Sequence, residues 1–124
     1  MEFFIRKDST EPILKMQLIQ DGRNDFKSFF KNLENAIISF SMKKVDTGEF
    51  VILNSAGGIV QKTEIYEQLE PEYYIYYRFT ESQTSEVGRF QGQFLIELLD
   101  TSQQLVVPIR EDLFINIQPS FGVF

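Results

Sequence analysis

The chain contains no cysteine, no histidine and no tryptophan among its 124 residues. Without cysteine there can be no disulfide, no thiolate metal site and no cysteine nucleophile. The redox compartment stays open, because an oxidising or a reducing environment suits such a chain equally. Without histidine, the familiar pairing of a serine nucleophile with an imidazole base is excluded. No stretch approaches the ~20 consecutive apolar residues that a membrane span needs. These absences leave the chain few means of doing chemistry.

Positive charge is also in short supply. Twelve Lys and Arg stand against 18 Asp and Glu, for a net charge of -6. A surface of that sign repels a phosphate backbone, so nucleic-acid binding by general electrostatics is not expected, and binding to anionic lipid is disfavoured on the same ground. The N-terminal run Met1-Glu2-Phe3-Phe4-Ile5-Arg6-Lys7-Asp8 has a short apolar patch followed at once by charges. A signal peptide needs a basic start and a longer apolar run, so none is expected here.

What the chain has is aromatic bulk of one kind: 13 Phe and 5 Tyr, within a hydrophobic fraction of 43%. Phe fills a core without a polar atom that needs a partner. The length fits a single domain spanning 1–124, enough to bury roughly two-thirds of the unfolded surface.

Strand patterning dominates. Leu14, Met16 and Leu18 share one face of a strand headed by Pro12. Ile38, Phe40 and Met42 point one way and Ser39 and Ser41 the other. Phe50–Leu53 is a short strand, Asn54-Ser55-Ala56-Gly57-Gly58 a turn, and Ile59–Ile65 another strand. The run Tyr73–Thr80 and the run Arg89–Leu98 read as a long antiparallel pair. Leu105–Ile109 and Leu113–Ile117 complete the pattern. The one helical signal is Phe26, Phe29, Phe30 and Leu33 at i, i+3, i+4 and i+7, with Asn24 or Asp25 as cap. Many short strands between turn signals predict a β-sandwich or barrel.

Few residues suggest chemistry. Lys43 and Lys44 lie just past Ser39 and Ser41, but neighbouring strand positions do not converge on one point. Glu64, Glu67, Glu70 and Glu72 cluster before the Tyr strand without the alternation of a calcium loop, and read as a solvated acidic loop. Gly92 sits in the stripe Phe90, Gly92, Phe94, Ile96, Leu98, where it makes room for an opposed aromatic.

The tyrosines carry more. Tyr73, Ile75, Tyr77 and Phe79 share one face of their strand, and Tyr74, Tyr76, Arg78 and Thr80 the other. If the first face is core, the second puts two tyrosines and an arginine on the surface, a composition found at interface hot spots. Packing under a loop and stacking on a sugar are the other two readings. The tail Phe121-Gly122-Val123-Phe124 reads either as a plug for a partner's pocket or as a fraying terminus.

In order along the chain come Phe4-Ile5-Arg6, Thr10-Glu11-Pro12-Ile13-Leu14, the Asp21-Gly22 turn, Ala36–Met42, the Tyr-rich strand ending Phe79-Thr80, Gly88–Phe94, Leu105–Ile109 and Leu113–Ile117. This series resembles small structural proteins of tailed-phage virions. It is similar to the N-terminal domain of the phage baseplate upper protein family, an immunoglobulin-like β-sandwich that attaches receptor-binding or fibre components to the virion. The resemblance covers nearly the whole chain and includes no catalytic signature. The helical insert at 25–35 and a chain ending after one domain depart from the family's pattern.

The expectation is therefore an all-β protein: a single antiparallel, immunoglobulin-like β-sandwich of about eight strands, with one short helix near 25–34. The resemblance implies a virion component made in the host cytoplasm and serving in baseplate, tail, collar, head–tail junction, fibre anchor or capsid decoration. No enzyme activity, cofactor, metal, membrane, nucleic acid or small-molecule substrate is expected. The expected partners are other virion structural proteins and further copies of the chain in a symmetric assembly. The expected contacts are Tyr74, Tyr76, Arg78, Phe121 and Phe124. The alternatives are a carbohydrate-binding module and a lipocalin-like carrier.

Overall fold

Period-two patterning folds into strands over most of the described residues. The computed structural model describes residues 1–18, 36–62, 72–99, 102–109 and 111–120. The strands are β1 (Glu2–Arg6), β2 (Leu14–Leu18), β3 (Ala36–Lys44), β4 (Phe50–Ala56), β5 (Gly58–Lys62), β6 (Glu72–Tyr77), β7 (Gly88–Leu98), β8 (Gln103–Val107) and β9 (Leu113–Gln118). A 3₁₀ turn at Ser82–Thr84 is the one helical element among the described residues. The helix expected from Phe26, Phe29, Phe30 and Leu33 lies outside them.

The strands form two sheets. The larger runs β1-β9-β7-β3-β4, with β8 also paired to β7. The smaller runs β2-β6-β5. The 11-residue β7 is long enough for two neighbours on one side, β9 along Gly88–Gly92 and β8 along Phe94–Leu98. The order β9-β7-β3-β4 packed on β2-β6-β5 is that of an immunoglobulin-like sandwich.

The pairing is antiparallel except at one seam. β1 runs parallel to β9, with Glu2 opposite Phe114 and Arg6 opposite Gln118. A hairpin forces neighbours to be antiparallel, but nearly the whole chain separates these two strands, so no short turn dictates their sense.

Several boundaries differ from the sequence expectation: β3 runs on to Lys44 and β6 ends at Tyr77, short of Thr80. Asn54-Ser55-Ala56 is strand rather than turn, and Gly57 alone links β4 to β5 across the two sheets. Asn54 takes a φ of 51°, and the β3–β4 register shifts on both sides of Met42. Asn tolerates the left-handed region, so a turn-forming residue is absorbed as a bulge. Strand β8 stops at Val107 because Pro108 offers no N–H to continue the ladder.

The core lies between the sheets. Phe40 is fully buried at its centre, with ring centroids of Tyr77 at 4.7 Å, Phe94 at 4.9 Å and Phe79 at 5.7 Å. Burying a Phe this way contributes roughly 1.5–3 kcal/mol. As expected, Gly92 is where β7 lets an aromatic in. A Cβ there would lie 2.8 Å from Cζ of Phe40 and 2.6 Å from Cδ1 of Ile115.

Polar pins hold one end of the sandwich. The Tyr77 hydroxyl lies 2.9 Å from both Ser55 Oγ and Gln83 Oε1. Gln83 Oε1 can only accept, so Tyr77 donates to it and receives the Ser55 hydroxyl proton. Thr84 is fully buried and donates to the Ser9 carbonyl at 2.9 Å, while Asp8 N–H donates to the Thr84 carbonyl at 3.0 Å. These bonds tie the turn after β6 to the turn after β1.

Candidate docking surfaces

The smaller sheet presents the tyrosine face anticipated from the sequence. Tyr73, Ile75, Tyr77 and Phe79 are buried, and Tyr74 and Tyr76 face outward from β6. Pairing brings Lys15 and Gly58 beside Tyr76, and Gln17 and Val60 beside Tyr74. Arg78, just past the end of β6, is exposed. Tyr74 and Tyr76 thus share one outer face, with Arg78 exposed next to it in sequence. Phe121 and Phe124 lie outside the described residues, as do Glu64, Glu67 and Glu70.

Both rings on this face have intramolecular neighbours. Lys15 Nζ stands 5.1 Å from the Tyr74 ring centroid, a cation–π distance. The end of the Tyr76 ring lies across Gly58, so closely that any Cβ at that position would collide with it. Both rings are half-buried. Arg78 meets Glu11 at 3.2 Å, with each side chain 61% exposed. Such a pair contributes at most about 1 kcal/mol and is screened by salt.

The outer face of the larger sheet differs in character. Its residues alternate with the core: Ser39 and Ser41 from β3, Gln91, Gln93 and Leu95 from β7, Phe114 and Asn116 from β9, Val106 from β8. Among the described residues the middle of this face carries no charge. Along the far rim, β4 exposes Phe50, Val51 and Leu53, the last 64% accessible. Among the described residues nothing pairs with the outer edge of β4, and its two bulges turn that edge away from simple strand addition. At the opposite corner Arg89 lies 4.1 Å over the Phe114 ring and 3.2 Å from Glu2 Oε2. Asn116 Nδ2 donates to Glu2 Oε1 at 3.3 Å.

Sequence reasoning concentrated on the tyrosines and passed over this face. The signal was present in Gln91, Gln93 and Asn116, which put amides where a solvated strand usually carries Lys or Glu.

Two of the positions considered for chemistry, Ser41 and Lys44, are engaged structurally. Ser41 Oγ accepts the Asn54 N–H at 2.9 Å and so clamps the β4 bulge. Lys44 Nζ lies 3.0 Å from Glu86 and 3.9 Å from Glu49, beside a cleft of about 250 Å³ lined by Lys44–Asp46 and Glu86–Phe90. The hydrogen bond to Glu86 is the main cause that raises the Lys44 pKa above 10.5, against an opposing cost of desolvation. An amine nucleophile or base needs the opposite shift. Among the described residues no group of three or more acidic side chains is placed to hold a metal ion. No protein-family model, no curated protein and no solved structure matches the chain.

Proposed function

We propose that the protein is a structural docking component of a tailed-phage virion, acting in baseplate, collar, head–tail junction, fibre anchorage or capsid decoration, by protein–protein contact and without catalysis. The observation that carries the reading is the outer face of the larger sheet, whose centre carries no charge among the described residues and which is bordered by the exposed apolar side chains of β4, on a protein of net charge -6. Interface centres are depleted of charge and rimmed by polar groups. The immunoglobulin-like strand order fits the domain type that the resemblance to baseplate upper proteins implies. Rigid sheets supply such a face at little ordering cost, and symmetric copies multiply a weak contact by avidity.

Mass spectrometry of purified particles from the source tests the proposal. A fixed number of copies per particle is the expected result. A count in small multiples of six or twelve assigns the protein to tail or collar, and one in the hundreds to the capsid surface. Absence from particles refutes the virion role, and glycan binding abolished by Tyr74→Ala or Tyr76→Ala then identifies a carbohydrate-binding module.

A further inference from the structure

We infer that two copies of the protein pack face to face through the outer surface of the larger sheet, about a twofold axis near Ser39, Gln93 and Leu95. The inference rests on the docking reading above and names the partner of that face.

Charge is the first argument. The chain carries -6 overall, yet among the described residues this face holds three bases, Arg6, Lys43 and Arg89, against two acids, Glu2 and Glu97. All five lie on the edge strand β1 or one residue in from the end of β3 or β7. Ser39 sits opposite Leu95, and Ser41 opposite Gln93, with no ionised group among them. The carboxylates of Asp8, Asp46, Glu81, Glu86, Glu111 and Asp112 are all carried by residues outside the strands. A site for a strongly charged partner would carry the opposite sign. A neutral centre fits a partner of the same neutral, amide and apolar character, and a second copy presents that surface by identity. Two acidic molecules repel wherever carboxylates meet. This face is where they can approach. A twofold contact sets the patch against itself.

Area is the second argument. The six strands of this sheet hold 43 residues, each covering about 4.8 by 3.3 Å of it. That is about 700 Å², close to the roughly 800 Å² per partner of a standard stable interface.

Sedimentation equilibrium of the purified protein up to about 100 μM tests this, since interfaces of this size commonly reach micromolar affinity or better. The expected result is the mass of a dimer. Gln93→Glu and Gln93→Lys should each weaken the dimer at least about tenfold, because the axis sets like charges against each other in both cases. Gln93 is exposed and outside the core, so both variants should keep the wild-type circular dichroism spectrum. Lys15→Glu, on the opposite sheet, should leave the association unchanged. A monomer throughout the concentration range, or a dimer broken by Lys15→Glu and indifferent to both Gln93 variants, overturns the inference. A monomer present in particles at fixed copy number removes the self-contact and leaves the docking role standing. A Gln93-sensitive dimer absent from particles does the reverse.

Discussion

Gly92→Ala probes how closely the two sheets meet. The added methyl would lie 2.6 Å from Cδ1 of Ile115 and 2.8 and 2.9 Å from Cζ and Cε1 of Phe40, where 3.4 Å is the start of ordinary contact. The neighbours must therefore retreat by several tenths of an ångström. Phe40 has nowhere to go: Tyr77, Phe94 and Phe79 enclose its ring, and all are buried. Overpacking of this kind costs about 1–3 kcal/mol, partly offset by roughly 0.4–1 kcal/mol from the stiffer unfolded chain. With an unfolding entropy of about 2.1 cal/mol/K per residue over 124 residues, each kcal/mol corresponds to about 4 °C in Tm. A net cost of about 1.3 kcal/mol lowers Tm by about 5 °C, read by circular dichroism on heating and by the urea midpoint. Phe40→Leu removes the two ring atoms nearest the new methyl. Alone it destabilises by leaving a cavity. Placed on Gly92→Ala, it should cost less than it does on the wild type, by at least about 1 kcal/mol. A Gly92→Ala protein melting within about a degree of wild type, or two substitutions whose costs simply add, would refute the steric account.

Three further outcomes follow from named contacts. Thr84→Val keeps the shape but deprives the Ser9 carbonyl of its donor, so stability should fall by about 1–3 kcal/mol in urea unfolding, while Thr84→Ser should retain most of it. Gly57→Ala should be worse than Gly58→Ala by about 1 kcal/mol or more, because the Gly57 methyl meets the Tyr76 carbonyl at 2.7 Å whereas the Gly58 methyl meets only the movable end of the Tyr76 ring; equal melting temperatures contradict this. The Lys44–Glu86 contact raises the lysine's pKa in the folded state. Its contribution is thus fully present below pH 10.5 and disappears as pH rises through the folded value, so the stability difference between wild type and Glu86→Gln should narrow in strongly alkaline buffer.

The parts of the fold that were legible in the sequence are those written in local alternation. The β7 stripe Phe90 to Leu98, the inward set Ile38, Phe40 and Met42, and the division of Tyr73–Phe79 between two faces all follow from a period of two. Gly92 was legible because a small residue in an otherwise bulky stripe implies a close approach. The bulged β4 was not, since Asn54, Gly57 and Gly58 carry turn propensity and only pairing with β3 turns Asn54 into a bulge. Nor was the sense of the β1–β9 pair, which depends on partners more than 100 residues apart. Thr84 reads as an ordinary turn residue, and its burial is decided by the distant Asp8–Ser9 segment. The tyrosine face was legible as a position, whereas the Lys15 ammonium near Tyr74 and the packing of Tyr76 on Gly58 arise from cross-strand register.

The parallel seam between β1 and β9 gives the molecule a mechanical direction. The strand pair begins at Glu2 beside Phe114 and ends at Gln118 beside Arg6, so the two points lie at opposite ends of the seam, about 13 Å apart over four residue steps. The bonds from Phe114 N–H to the Met1 carbonyl and from Lys7 N–H to the Gln118 carbonyl extend the ladder at both ends. Tension applied between Glu2 and Gln118 therefore shears the ladder along its length and strains its bonds together. Pulled across the seam instead, the same bonds would break one after another at far lower force.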